Sequence, residues 1–192
     1  MSDSRGLIIL DRDGVLNRMV ERPGPEPVDS PLVEADVEIL PGVIVSLCRL
    51  AAAGYQLAIA SNQPAAAKGK VTLATLQAVH ARVVAELSAG GVPSIDSHVC
   101  YHRAEDGCSC RKPRTGLLEA ALSLASGCQP SKSWMVGDRA TDVIAGATLG
   151  LSTALLGKSS PVDAELLISR AIRPSFRGKD LREFADFLLG KT

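Results

Sequence analysis

Aromatic residues make up only 3% of this 192-residue chain, one Trp, two Tyr and three Phe. That scarcity excludes a base-stacking platform for single-stranded nucleic acid, which needs exposed rings along a groove. An excess of one charge is also missing, since 21 Lys and Arg offset 21 Asp and Glu. Without a net field there is nothing to draw in nucleic acid or an anionic membrane, so any attraction for phosphate must come from locally placed cations. Long hydrophobic runs are absent too. The run at residues 7–10 is four residues long before charge intervenes, too short for a signal peptide or a membrane span. The expectation is a cytoplasmic protein with neither a nucleic-acid nor a membrane partner. In that setting its five cysteines are reduced or metal-bound, not paired as disulfides.

What is present suits a single domain over residues 1–192, at 46% hydrophobic content enough to bury a core. Short apolar runs recur at residues 7–10 (LIIL), 56–60 (QLAIA), 97–101 (SHVCY), 133–136 (SWMV) and 152–156 (STALL). Their lack of alternation fits strands buried on both faces of a parallel sheet. Helical patterns lie between them. Residues 41–54 open on Pro41, close on Gly54 and put Val43, Leu47 and Leu50 on one face. Residues 72–91 space Leu73, Leu76, Val79, Val83 and Leu87 helically before Gly90 and Gly91 stop them. Residues 115–127 can use Thr115 as an N-cap, residues 139–150 close at Gly150, and residues 180–190 form a closing helix. This order predicts an α/β fold with a doubly wound parallel sheet. Residues 17–38, crowded by Pro23, Pro25, Pro27 and Pro31, read as irregular, and residues 158–178 carry only a weak pattern.

Polar groups follow four of the apolar runs: Asp11, Ser61, the Cys/His cluster with Arg111 and Lys112, and Asp138. In an open parallel sheet every strand C-terminus opens onto one edge, so these groups converge on one crevice. Asp11 and Asp13 in "DRDG" are two carboxylates that repel unless a cation or a shared proton compensates, and Mg²⁺ with its taste for carboxylates and phosphate oxygens is the natural answer. In "VGDRATD", Asp138 either completes that metal site or caps the following helix, a role open to Thr141 as well. Asp142, one turn on, can orient a ligand or a metal-bound water. Ser61 and Asn62 in "ASNQ" can donate to a phosphoryl oxygen or simply close a capped turn. Arg111 and Lys112 are either a solvated surface pair or a fork and a point charge for phosphate.

Between 100 and 113 the chain reads "CYHRAEDGCSCRKP". Cys100, His102, Cys108 and Cys110, spaced C-x-H-x5-C-x-C, match a closed tetrahedral Zn²⁺ site better than a disulfide or a redox pair, and not the spacing of a zinc finger. Cys48, Cys128, His80 and His98 read as structural residues.

Together "DRDGVLN", "SNQ", "CRKP" and "GDRATD", in that order and each at a strand end, resemble the four motifs of the haloacid dehalogenase (HAD) superfamily. With the Cys/His pattern ahead of them, residues 7–157 resemble its zinc-containing, cap-less branch, which holds heptose 1,7-bisphosphate 7-phosphatases and histidinol-phosphate phosphatases. The resemblance implies a Rossmann-like HAD fold with a small zinc-bound loop and a phosphomonoester substrate. Asp11 would be the nucleophile carrying an aspartyl-phosphate, and Asp13 the acid and then the base. Mg²⁺ would sit on Asp11, the main-chain carbonyl of Asp13, and Asp138. Ser61 and Lys112 would stabilise the phosphoryl group, with Asn62, Gln63 and Arg111 on the substrate. Asn17 in "DGVLN" resembles the heptose enzymes, so a phosphorylated sugar, the heptose bisphosphate, is the expected substrate and histidinol phosphate the alternative. A catalytically silent, zinc-stabilised phosphate-binding protein is the third reading, disfavoured because both Asp11 and Asp13 are intact. Tyr101, where the family pattern has Pro, and "SNQPAAAKG", with Pro64 in place of the usual "NQSG", are departures.

Overall fold

The computed structural model describes residues 5–22 and 28–190. Residues 1–4, the start of the stretch weighed against a signal peptide, lie outside the described residues, as do Pro23, Pro25 and Pro27. The chain runs β1 (Gly6–Leu10), β2 (Val20–Glu21), β3 (Val28–Asp29), α1 (Val43–Ala52), β4 (Tyr55–Asn62), α2 (Leu73–Ala89) and β5 (Asp96–Cys100). It continues through α3 (Gly116–Leu124), β6 (Trp134–Gly137), α4 (Ala140–Thr148), β7 (Ser152–Leu156), α5 (Pro161–Ser169), β8 (Phe176–Gly178) and α6 (Leu181–Leu188).

Six strands form a sheet in the order β5-β4-β1-β6-β7-β8, and every pairing in it is parallel. The remaining two, β2 and β3, pair antiparallel as a small hairpin after β1. The central strand shows why its run does not alternate. All five residues of β1 are buried, with Ile8 and Leu10 joining one core cluster and Leu7 and Ile9 another. The first cluster takes its helical side chains from α1, α2 and α6, including Leu47, Val83 and Phe184. On the opposite face, α3 contributes Leu117 and Leu118, and α4 and α5 contribute Val143 and Leu167. Side chains of one strand therefore serve two helical layers, as the period of two requires. Among the described residues, no helix is long and apolar enough to cross a membrane.

The weakly patterned segment 158–178 holds α5 and the short strand β8. Ser160 caps α5, its hydroxyl accepting from the Asp163 amide at 3.1 Å, and Pro161 follows as the first helical residue. The cap expected at Thr115 differs: Thr115 stands at the start of α3, but its hydroxyl donates to Glu119 at 2.7 Å instead of accepting a helix amide.

Candidate active site

The sheet order brings the C-terminal ends of β1 and β6 side by side, and Asp11 extends the pairing by donating its amide to Val136 at 2.8 Å. After β1 the chain moves to β4 and β5 on one side, then returns to β6 on the other. This is the reversal that opens a crevice in doubly wound sheets. A cavity of about 330 Å³ lies there, lined by Asp11, Asp13, Ser61, Asn62, Arg111, Lys112, Asp138 and Asp142. Larger cavities exist, one of about 490 Å³ between α1 and α6, but neither the Asp11–Asp138–Asp142 cluster nor the Cys/His cluster lines it.

Two glycines allow the carboxylates this close. Gly14 has φ +80°, and a Cβ there would lie 2.4 Å from Asp138 Oδ2. At Gly137 a Cβ would lie 2.2 Å from Asp142 Oδ2. Any side chain at either position would displace an acidic group.

Carboxylate oxygens of Asp11, Asp138 and Asp142 lie within 4.8 Å of one another. One ammonium meets them: Lys112 Nζ is 3.0 Å from Asp11 Oδ1, 2.7 Å from Asp142 Oδ1 and 2.6 Å from the Ala60 carbonyl. It donates a hydrogen bond to the carbonyl and forms ion pairs with both carboxylates. Burial, opposed by Lys112 but reinforced by Asp142 and Asp13, pushes Asp11 up to about 6. Burial together with Asp11 and Asp142 pushes Asp138 up to about 8. Burial works against the Lys112 charge, but Asp11 and Asp142 outweigh it and raise this lysine above its ordinary value. Three carboxylates against one ammonium leave an excess of negative charge, and a hard divalent cation with oxygen ligands fits it.

The Asp13 carboxylate faces elsewhere. Oδ1 accepts from Arg12 Nε at 3.0 Å and Asn17 Nδ2 at 2.8 Å, and Oδ2 from Arg12 Nη2 at 3.0 Å and Gln63 Nε2 at 2.5 Å. Burial would raise its pKa, but the Arg12 charge and the hydrogen bonds of Arg12, Gln63 and Ser30 hold it below the usual carboxylate range. Ser61 Oγ accepts from Gln63 at 2.9 Å, which leaves the serine's own O–H to donate. Asn62 spends both ends of its amide on the Lys112 backbone, at 3.1 Å each. Arg111 lines the cavity and donates to the His102 carbonyl at 3.1 Å. The structure thus puts Asp11, Ser61, Arg111, Lys112 and Asp138 at one mouth, with Gln63 buried behind Asp13 and Ser61.

At the start of α4, Asp142 and not Asp138 accepts the Arg139 amide, at 3.1 Å. Asp163 of α5 accepts the Ala140 amide and the Arg139 guanidinium, both at 2.9 Å. Neither Arg12 nor Asp163 stood out in the sequence. Arg12 sits between two acids like any surface charge, and Asp163 is remote in sequence from what it holds.

Next to Lys112, the donor atoms of Cys100, His102, Cys108 and Cys110 are 3.2–3.7 Å apart in five pairings. Sulfur atoms at tetrahedral Zn–S distances are about 3.8 Å apart, whereas a disulfide needs about 2.05 Å. The set therefore fits zinc, and no disulfide joins these cysteines. Cys48 and Cys128 pack at the edges of the core clusters.

A family model described as HAD-hydrolase-like matches residues 109–184. A D-glycero-β-D-manno-heptose-1,7-bisphosphate 7-phosphatase of Pseudomonas aeruginosa is 37% identical over 157 residues, 80% of this chain and 82% of the relative. The histidine biosynthesis bifunctional protein HisB of Legionella pneumophila is 31% identical over 175 residues, 90% of this chain but only 48% of that protein. Among solved structures, a D,D-heptose 1,7-bisphosphate phosphatase from B. bronchiseptica, complexed with magnesium and phosphate, superposes with a TM-score of 0.73 at 29% identity, covering 97% of this chain and 99% of that one.

Proposed function

The chain belongs to the HAD-like phosphatases, and from that premise we propose that it hydrolyses the 7-phosphate of D-glycero-D-manno-heptose 1,7-bisphosphate. The observation that carries the reading is the meeting of Asp11, Asp138 and Lys112 at the β1–β6 reversal. Asp11 attacks phosphorus through a carboxylate oxygen, the phosphorus–alkoxide bond breaks, and Asp13, entering this step as the carboxylic acid, gives its proton to the leaving oxygen and is left as the carboxylate. Asp13 then removes a proton from the water that cleaves the aspartyl-phosphate, releasing phosphate and restoring both groups. Lys112 supplies fixed positive charge throughout, and the Ser61 hydroxyl donates to a phosphoryl oxygen. Asp11, the main-chain carbonyl of Asp13, and Asp138 would hold Mg²⁺, which when bound neutralises the phosphoryl oxygens. Cys100, His102, Cys108 and Cys110 would hold a structural Zn²⁺ that orders the loop carrying Arg111 to the substrate. The zinc-type thiol cluster supports a reducing, cytoplasmic setting, with a small phosphorylated sugar as the partner.

Phosphate release from both anomers of the heptose bisphosphate and from histidinol phosphate, with Mg²⁺ and with EDTA, tests this. Turnover of the bisphosphate, lost in EDTA, is expected. Preference for histidinol phosphate would transfer the assignment to that alternative, and no turnover of either would overturn both. Asp11→Asn is expected to abolish turnover, and retained activity would remove Asp11 as nucleophile.

A further inference from the structure

Arg12 is the largest side chain in the molecule with essentially no solvent exposure, at 0%. Both hydrogen bonds of its guanidinium, from Nε and Nη2 at 3.0 Å, go to the two oxygens of Asp13. Its third nitrogen, Nη1, is buried with no hydrogen-bond partner among the described residues. A plain structural role explains this poorly. Buried ion pairs contribute little net stability against an apolar replacement, and an arginine that ties a core together spreads its five donors over several acceptors. Here every bond of the group ends on one carboxylate.

The rest of the Asp13 shell shows what that grip is for. With two donors on each oxygen and Ser30 as a further hydrogen-bonding neighbour, the carboxylate's roughly four acceptor sites are full. A leaving-group oxygen reaches Asp13 only by taking the place of one donor. Arg12 is enclosed and bound at two points, and Asn17 is fully buried, its amide also donating to the Arg18 carbonyl at 3.1 Å. Gln63 is held by Asp13 and by Ser61 Oγ, the atom that faces the phosphoryl pocket. Gln63 is itself buried, and the neighbour of Asp13 that lines the cavity is Ser30.

We propose that Arg12 is a positioning residue for the reaction: it anchors the Asp13 carboxylate in plane through both oxygens and so holds it at the cavity wall for the leaving oxygen. The inference rests on the acid role given to Asp13 above. Arg12 touches no reacting atom, and the hydrogen bonds of its guanidinium end on Asp13, so its loss reaches the reaction through Asp13. The loss must then weigh most on substrates whose leaving group needs a proton.

The test compares Arg12→Gln and Arg12→Lys with the wild type on the heptose bisphosphate, an alkyl phosphate, and on p-nitrophenyl phosphate, whose phenolate departs without protonation. For Arg12→Gln, kcat on the alkyl phosphate is expected to fall by about 100-fold or more, within the range for loss of general acid catalysis, with KM unchanged. On the aryl phosphate the fall is expected to stay below about 10-fold. Arg12→Lys, keeping one charged contact, is expected to recover part of the alkyl rate, and it carries the same comparison if Arg12→Gln does not fold. Equal losses on both substrates, or a change confined to KM, would overturn the inference. A wild type inactive on the bisphosphate but active on the aryl ester would instead overturn the substrate reading, and the comparison then uses whichever alkyl phosphate it hydrolyses.

Discussion

Lys112 sets one buried ammonium against the Asp11 and Asp142 carboxylates as ion pairs and against the Ala60 carbonyl as a hydrogen bond. Its removal strands two acids in a site already short of positive charge. Lys112→Met is expected to abolish turnover and, because it breaks a buried pair from one side, to cost about 3–5 kcal/mol of stability. Denaturant unfolding at neutral pH measures this, and an unchanged midpoint would contradict the ion-pair account. His80 on α2 gives a second consequence at this scale. Burial, helped by the Arg12 charge and opposed by Asp13, depresses its pKa from 6.5 to about 4, and neither ring nitrogen has a hydrogen-bond partner among the described residues. Between those values the unfolded chain binds a proton that the folded chain refuses, so stability rises with pH there. The contribution is fully present above pH 6.5 and is lost as pH falls toward about 4. In His80→Gln, which does not titrate, stability measured across that window is expected to fall less steeply on acidification. An unaltered slope would place the titration elsewhere.

The elements around the site divide the labour between a clasp and a brace. The Cys/His loop holds Arg111 and Lys112 from one side, with Arg114 donating to the Cys108 carbonyl at 2.5 Å as a further tie. Cys108→Ser, or zinc extraction, is expected to open residues 101–115 to proteolysis and to lower kcat/KM while α1 to α6 remain folded, as read by circular dichroism. About one zinc per chain should be found in the untreated protein, following from four ligands. Finding none would remove the clasp. The brace is α5, whose Asp163 holds the turn between Asp138 and α4 through the Ala140 amide and the Arg139 side chain. Such outer partners of ligands commonly govern metal affinity by 10- to 100-fold. Asp163→Ala is accordingly expected to raise the Mg²⁺ concentration for half-maximal activity by about that factor, leaving zinc content unchanged. An unchanged Mg²⁺ requirement would make Asp163 a plain helix tie.

For the whole molecule, the parallel α/β architecture was legible because each buried strand is a short unbroken apolar run and each helix carries its own stripe and stop. The segment 158–178 was not. β8 is an edge strand of three residues with a half-exposed pattern, and α5 buries only Asp163 and Leu167. Neither generates a period strong enough to read. The convergence of the strand-end residues on one crevice was legible for a related reason, since an open parallel sheet collects its strand ends on one edge. Local chemistry along the chain therefore determined which residues meet: two aspartates after β1, one after β6, a lysine behind a Cys/His cluster. Only the tertiary structure decided how they meet. Strand order puts β1 beside β6, and the backbone after β1 sets the Asp13 carboxylate onto Arg12, Asn17 and Gln63. Packing commits Asp142 to Lys112, and it brings Asp163 onto a turn 24 residues before it. Those pairings depend on distances between side chains far apart in sequence, and no pattern of residue types along a chain encodes such distances.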